Sequence, residues 1–104
     1  MGSSKEYLSF ILEQLFQLNG VAYRAMMGEY IIYYQGKVIG GIYDNRFLVK
    51  ATKSSAEMLP DADKELPYEG AKMMLLVDNV EDKKFLRQLF ESMYAELSAV
   101  KKKK

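Results

Sequence analysis

Between Gln35 and Lys50 the chain reads QGKVIGGIYDNRFLVK. Gly36, Gly40 and Gly41 surround Lys37, and glycines beside a lysine are the material of phosphate-binding loops. In such loops backbone N–H groups cradle the anion and the ammonium supplies charge. A Walker loop needs G-x-x-x-x-G-K-[ST] between a strand and a helix. Gly36 and Gly41 have the outer spacing, but Ile42 and Tyr43 stand where lysine and a hydroxyl residue are required. The dinucleotide fingerprint G-x-G-x-x-G does not occur. Phosphate chemistry therefore fails on residue type.

Asp61, Asp63 and Glu65 alternate like the carboxylates of a calcium loop. Counted from Asp61, the sixth and twelfth positions should be Gly and Glu; they are Leu66 and Lys72. A solvated acidic loop is the simpler reading. Met26, Met27, Met73 and Met74 offer soft sulfur donors, but with neither cysteine nor histidine in the chain they read as core filling. The same two absences remove the usual general base, the Ser-His and Cys-His nucleophile pairs, thiolate metal sites and disulfides. The expectation is a non-enzymatic protein with no cofactor.

The elements that must position these residues follow from periodicity. One domain spans 1–104, carries a net charge of +1, and ends in a lysine run at 101–104 expected to be a mobile tail. SSKEYLSFILEQLFQLNG reads as a helix capped by Ser3 with Glu6, its apolar stripe running through Tyr7, Leu8, Ile11, Leu12, Leu15 and Phe16, and closed by Gly20. DNVEDKKFLRQLFESMYAELS repeats the pattern with Asp78 or Asn79 as cap. Between them VAYRAMM, EYIIYY, KVIGGIY and RFLVK predict a four-strand meander joined by tight turns. TKSSAEMLP predicts a short helix capped by Thr52, and KMMLLV a fifth strand buried on both faces. The segment 61–70 reads as a loop. The fold class is α+β: an antiparallel meander of about five strands, with the terminal helices on one face.

Two-residue turns at Gln35-Gly36 and Asp44-Asn45 sort the strands into two faces. Ile31, Tyr33, Val38, Gly40, Ile42, Phe47 and Val49 form an uncharged face expected to receive the helices. Gly40 suits a close helix approach, or equally a bulge. The opposite face carries Tyr30, Ile32, Tyr34, Lys37, Ile39, Gly41, Tyr43, Arg46, Leu48 and Lys50. Its apolar centre, rimmed by tyrosines and cations, predicts an interaction surface of Tyr30, Ile32, Tyr34, Lys37, Ile39, Tyr43 and Arg46. A protein partner is expected there, with a homodimer the simplest case. The alternative is cover by the 61–70 segment. The near-neutral charge and the missing RNP signature argue against direct nucleic-acid binding. The apolar runs are too short for a membrane span and no secretory signal opens the chain, so a cytoplasmic protein is expected.

The run YRAMMGEYIIYYQGKVIGGIYDNRFLVK, followed by LPYEGAK, resembles the TfoX/Sxy N-terminal domain family. Arg24, Met27 and Gly28 match its Arg-Met-Gly start to the sheet. Gly36 matches its glycine turn, and Asp44 and Lys50 its aspartate turn and following lysine. The resemblance runs from Ser3 to about Leu97. It implies a two-layer α+β fold and a role in transcription regulation. Full-length competence regulators of this family act with the cyclic-AMP receptor protein and carry a helical C-terminal domain, which this chain is expected to lack. The resemblance supplies no catalytic residues. The resulting expectation is a regulatory, protein-interaction module whose partner belongs to the transcription machinery or is a cyclic-AMP receptor-type regulator. A small-ligand sensor with a pocket between sheet and helices is the alternative.

Overall fold

Three two-residue turns fold the middle of the chain back on itself. Met27-Gly28, Gln35-Gly36 and Asp44-Asn45 all have positive φ at both residues, the backbone that matches the twist of a tight hairpin. They join β1 (Val21–Met26), β2 (Glu29–Tyr34), β3 (Lys37–Tyr43) and β4 (Arg46–Lys50) into the predicted meander. The structure, a computed structural model, describes residues 3–67 and 70–97. The lysine tail at 101–104 lies outside the described residues.

The sheet has six strands in the order β1-β2-β3-β4-β6-β5, all pairs antiparallel. β6 (Met74–Leu76) is the predicted KMMLLV strand in shortened form, and it is buried on both faces through Met74 and Leu75. β5 (Lys64–Glu65) is a correction to the loop expected over 61–70: two residues pair with β6 and finish the sheet. The α+β class stands, with helices α1 (Lys5–Gln14), α2 (Lys53–Met58) and α3 (Lys83–Tyr94).

The helix starts obey the predicted chemistry but not always at the predicted residue. Ser4, not Ser3, caps α1 by accepting from the Tyr7 N–H at 3.1 Å. Ser3 is used elsewhere. Its hydroxyl donates to Glu29 Oε1 at 2.7 Å and accepts from the Asn45 N–H at 2.9 Å. The Asp44 N–H also donates to Glu29, and the Ser4 N–H donates to Asn45 Oδ1. These bonds stitch the start of α1 to two hairpin turns at one end of the sheet. α1 stops at Gln14 instead of reaching Gly20, which enters β1 with a φ of +86°. Thr52 caps α2 as expected, in a reciprocal box with the buried Ser55. Asp82, rather than Asp78 or Asn79, caps α3.

One feature of β3 sets the architecture. Tyr34 pairs with Lys37 and Tyr33 with Val38, yet Ile32 pairs with Gly40. Ile39 is an extra residue, a bulge, and beyond it every side chain changes face relative to β2. The β3–β4 register is the predicted one: Gly40 opposite Val49, Gly41 opposite Leu48 and Ile42 opposite Phe47. The β2 faces are therefore reversed from expectation. Tyr30, Ile32 and Tyr34, together with Ile39, join Ile42, Phe47 and Val49 under the helices. Ile31, Tyr33 and Val38 turn to the open side.

The core lies between this face and the terminal helices. Leu8, Ile11 and Leu15 come from α1 and its end, and Leu86, Leu89, Phe90 and Met93 from α3. The Phe90 ring lies 5.5 Å from that of Tyr34 and 6.2 Å from that of Phe47, by centroids. Full burial of each such side chain contributes about 1.5–3 kcal/mol. Gly40 does not receive a helix. A Cβ there would strike the Leu48 carbonyl and lie 2.9 Å from Val49 Cα, both on the neighbouring strand. The bulge compresses β3 against β4 at this point, and only glycine fits.

Candidate functional site

The open face of the sheet is the candidate site. Its β4–β6–β5 half is closed by the chain itself. Tyr43, Leu48 and Met74 form a small buried cluster with Leu76 against it. Arg46 and Glu65 form an ion pair across this half, and Arg46 Nε is buried without an acceptor among the described residues. Part of the expected cover by the acidic segment is thus real, through Glu65, and Pro67 of the same segment lines the cleft beside it.

Over the β1–β3 half the described residues leave the face partly open. Ile31, Tyr33 and Val38 are half-buried, and Met26 is exposed. A cleft of about 500 Å³ opens here, lined by Met26, Ile31, Val38 and Tyr43 of the sheet together with Pro67, Ala71, Met73, Met74 and Leu97. Lys50 and Lys72 stand on its lining. No ion pair joins either ammonium to a carboxylate among the described residues. Thr52 and Glu96 also line the cleft. The Ser54 N–H donates to the Glu96 carboxylate at 3.0 Å and the Ser54 hydroxyl at 2.7 Å. The backbone bond from Ser54, then the side-chain bonds from Ser54 and Thr52, hold the Glu96 carboxyl below its ordinary range. In the core, burial raises the Tyr7 hydroxyl above its ordinary value, against a smaller opposing effect of the Phe47 backbone.

The seven residues expected to form one surface are divided by the bulge. Tyr30, Ile32, Tyr34 and Ile39 are buried in the helix-side core. Lys37 also faces the helices: its ammonium donates to the Tyr94 carbonyl at 3.4 Å and sits 4.2 Å above the Tyr94 ring. Tyr43 and Arg46 lie on the open side, in the self-covered half. Sequence reasoning missed Met26, Ile31, Tyr33 and Val38, and the signal that could have found them was the Gly40-Gly41 pair read as a bulge. The methionines also depart from expectation. Met74 is buried, whereas Met26, Met27 and Met73 are exposed.

Chemically, the open half can hold an apolar surface with an anionic edge against Lys50 and Lys72. Among the described residues no group of three or more acidic side chains is arranged to hold a metal ion, and no helix is long and apolar enough to cross a membrane.

Comparisons with known proteins agree with this architecture. The profile of the TfoX N-terminal domain matches residues 13–97. The chain is 34% identical, over 80 residues, to an uncharacterized 12.7 kDa protein encoded in the trpE 5′ region of Spirochaeta aurantia. That alignment covers 77% of this chain and 70% of the relative. No solved structure matches significantly. A match that spans the whole six-stranded sheet together with α2 and α3 establishes that this chain belongs to the TfoX N-terminal domain family.

Proposed function

We propose that this domain is a non-enzymatic regulatory module that acts through protein contacts on the partly open half of its sheet. Family membership supports regulation as the general role. The observation that carries the surface is the group Met26, Ile31, Tyr33 and Val38, apolar side chains that the described residues leave partly exposed on a sheet whose other face is packed against the helices over β2 to β4. Partly exposed apolar groups of this kind, rimmed by cations, suit a partner contact. A cyclic-AMP receptor-type transcription regulator is the first partner to test. Purified domain titrated into such a regulator by isothermal calorimetry should bind, and Ile31→Asp should abolish binding while leaving the melting temperature nearly unchanged. Binding that survives Ile31→Asp in a folded protein would refute this surface.

A second reading, ligand sensing, has its own support in the cleft, where Lys50 and Lys72 have no ion-pair partner among the described residues. It differs from the sequence expectation in place. Between sheet and helices, Ile11, Leu15, Ile39, Phe47, Phe90 and Met93 are almost fully buried, so a ligand would sit on the open side. A thermal-shift screen of anionic metabolites separates the readings. A stabilisation of several degrees that Lys50→Ala removes would favour the sensor.

A further inference from the structure

The two edges of the sheet are built differently. β5 ends one side with two residues, one of them Lys64. β1 ends the other with six, VAYRAM, of which five are exposed. Free strand edges template pairing with another chain, and proteins blunt them with brevity, lysine, proline or a bulge. β1 has none of these. Its only charge is Arg24, and its register with β2 is unbroken from Val21 to Met26.

Hydrogen-bond phase fixes which groups face outward. The Gln35 N–H donates to the Gly20 carbonyl at 2.7 Å. Bonded pairs alternate from there along the ladder. Ala22, Arg24 and Met26 therefore turn their backbone groups toward β2, while Val21, Tyr23 and Ala25 turn theirs away. The flanks of this edge are apolar. Tyr23 is 49% exposed, Phe16 87% and Met27 98%. Leu12, Phe16, Leu18, Val21 and Tyr23 line a shallow groove beside the strand. Met27 is notable because a fully exposed thioether occupies a positive-φ turn position where asparagine or aspartate is the usual choice.

We infer that β1 is a homodimerisation edge, pairing antiparallel with β1 of a second copy about a two-fold axis at Tyr23. The register follows from symmetry and charge. Centred on Tyr23, Val21 meets the partner's Ala25, Tyr23 meets the partner's Tyr23, and every outward N–H and C=O of the strand finds a mate. Arg24 then lies opposite the partner's Ala22. Centring on Arg24 would oppose two guanidinium groups, which is unfavourable. Centring on Ala22 would set Ala25 against the partner's Asn19, outside the strand. A strand junction alone falls short of the roughly 800 Å² per partner that stable complexes bury. The groove at Phe16 supplies additional apolar area on the helix side. This edge borders the open face proposed for a regulatory partner, Met26 of β1 lining that face while Val21, Tyr23 and Ala25 carry the outward backbone groups.

The chain has no cysteine, so single-cysteine variants report the register directly. Opposed residues of a bonded pair have Cα atoms about 5.5 Å apart, inside the roughly 4.4–6.8 Å range of disulfides. Two residues out of register, the separation exceeds about 7 Å. Full-length protein should sediment as a dimer in analytical ultracentrifugation. Tyr23→Lys should raise the dimer dissociation constant by about tenfold or more with the fold retained by circular dichroism. On mild oxidation Tyr23→Cys should give a covalent dimer and Arg24→Cys should not. A wild-type monomer at high concentration, a dimer untouched by Tyr23→Lys, or equally fast cross-linking through Arg24→Cys would each overturn the inference.

Discussion

Val38 and Ile39 are neighbours in sequence and belong to different parts of the molecule. Ile39 is fully buried beneath the helices, while Val38 is half-exposed on the open face. Strand alternation alone would separate any two neighbours. Here the bulge does more, because it decides which residues of β2 share a face with the later part of β3. The helix-side face is dense and aromatic, with Tyr34 and Phe47 both against the Phe90 ring. Among the described residues the open face is covered by its own chain over β4 and β6 and partly open over β1 to β3. One inserted residue thus determines what the domain keeps for its own stability and what it leaves available to others.

That contrast can be broken most severely from the helix side. Phe90→Ala should cost about 3–5 kcal/mol, through lost burial and the cavity left between Tyr34 and Phe47; urea denaturation measures it. Gly40→Ala tests the bulge itself. The added methyl meets backbone of β4, so a loss of about 1–3 kcal/mol is expected, and amide exchange should quicken in β3 and β4 more than in β1. The smallest effect belongs to Glu96. Its carboxyl is held below the ordinary range by Ser54 and Thr52. A depressed folded-state pKa contributes stability above the unfolded value, lost as pH falls through the folded one. Acidification below the ordinary glutamate range should therefore loosen the start of α2 first. A carboxyl NMR titration of Glu96, with the Ser54 amide as second probe, would register this, and Glu96→Gln should remove the pH response.

Much of the fold was legible in the residues. The turns at Gln35-Gly36 and Asp44-Asn45, the β3–β4 register, the Thr52 cap and the apolar stripes of α1 and α3 all follow from local chemistry. The β2 faces did not. In EYIIYY, Ile31 and Ile32 are identical, as are Tyr33 and Tyr34. Moving this strand over by one position exchanges isoleucine for isoleucine and tyrosine for tyrosine, so hydrophobic pattern offers no penalty against the slip. Ser3 and Ser4 pose the same problem at the first cap, and only the bonds from Ser3 to Glu29 and Asn45 separate their roles. The candidate surface was lost with the β2 faces. Ile31, Tyr33 and Val38 lie on the open side, although their lack of charge points to the core. The charge of Lys37 points to the open side, yet its ammonium reaches the Tyr94 carbonyl and ring. The short strand β5 escaped notice because Lys64 and Glu65 carry no strand signal of their own; pairing with β6 makes them one.

The face assignment is best tested by comparing Ile39→Asp with Val38→Asp in thermal unfolding followed by circular dichroism. With Ile39 in the core and Val38 outside it, Ile39→Asp should abolish the cooperative transition, since a carboxylate is placed among Leu, Ile and Phe side chains. Val38→Asp should melt within a few degrees of the unaltered chain. A cooperative, near-normal transition for Ile39→Asp with collapse of Val38→Asp would contradict the bulge and return the β2 faces to the simple alternation.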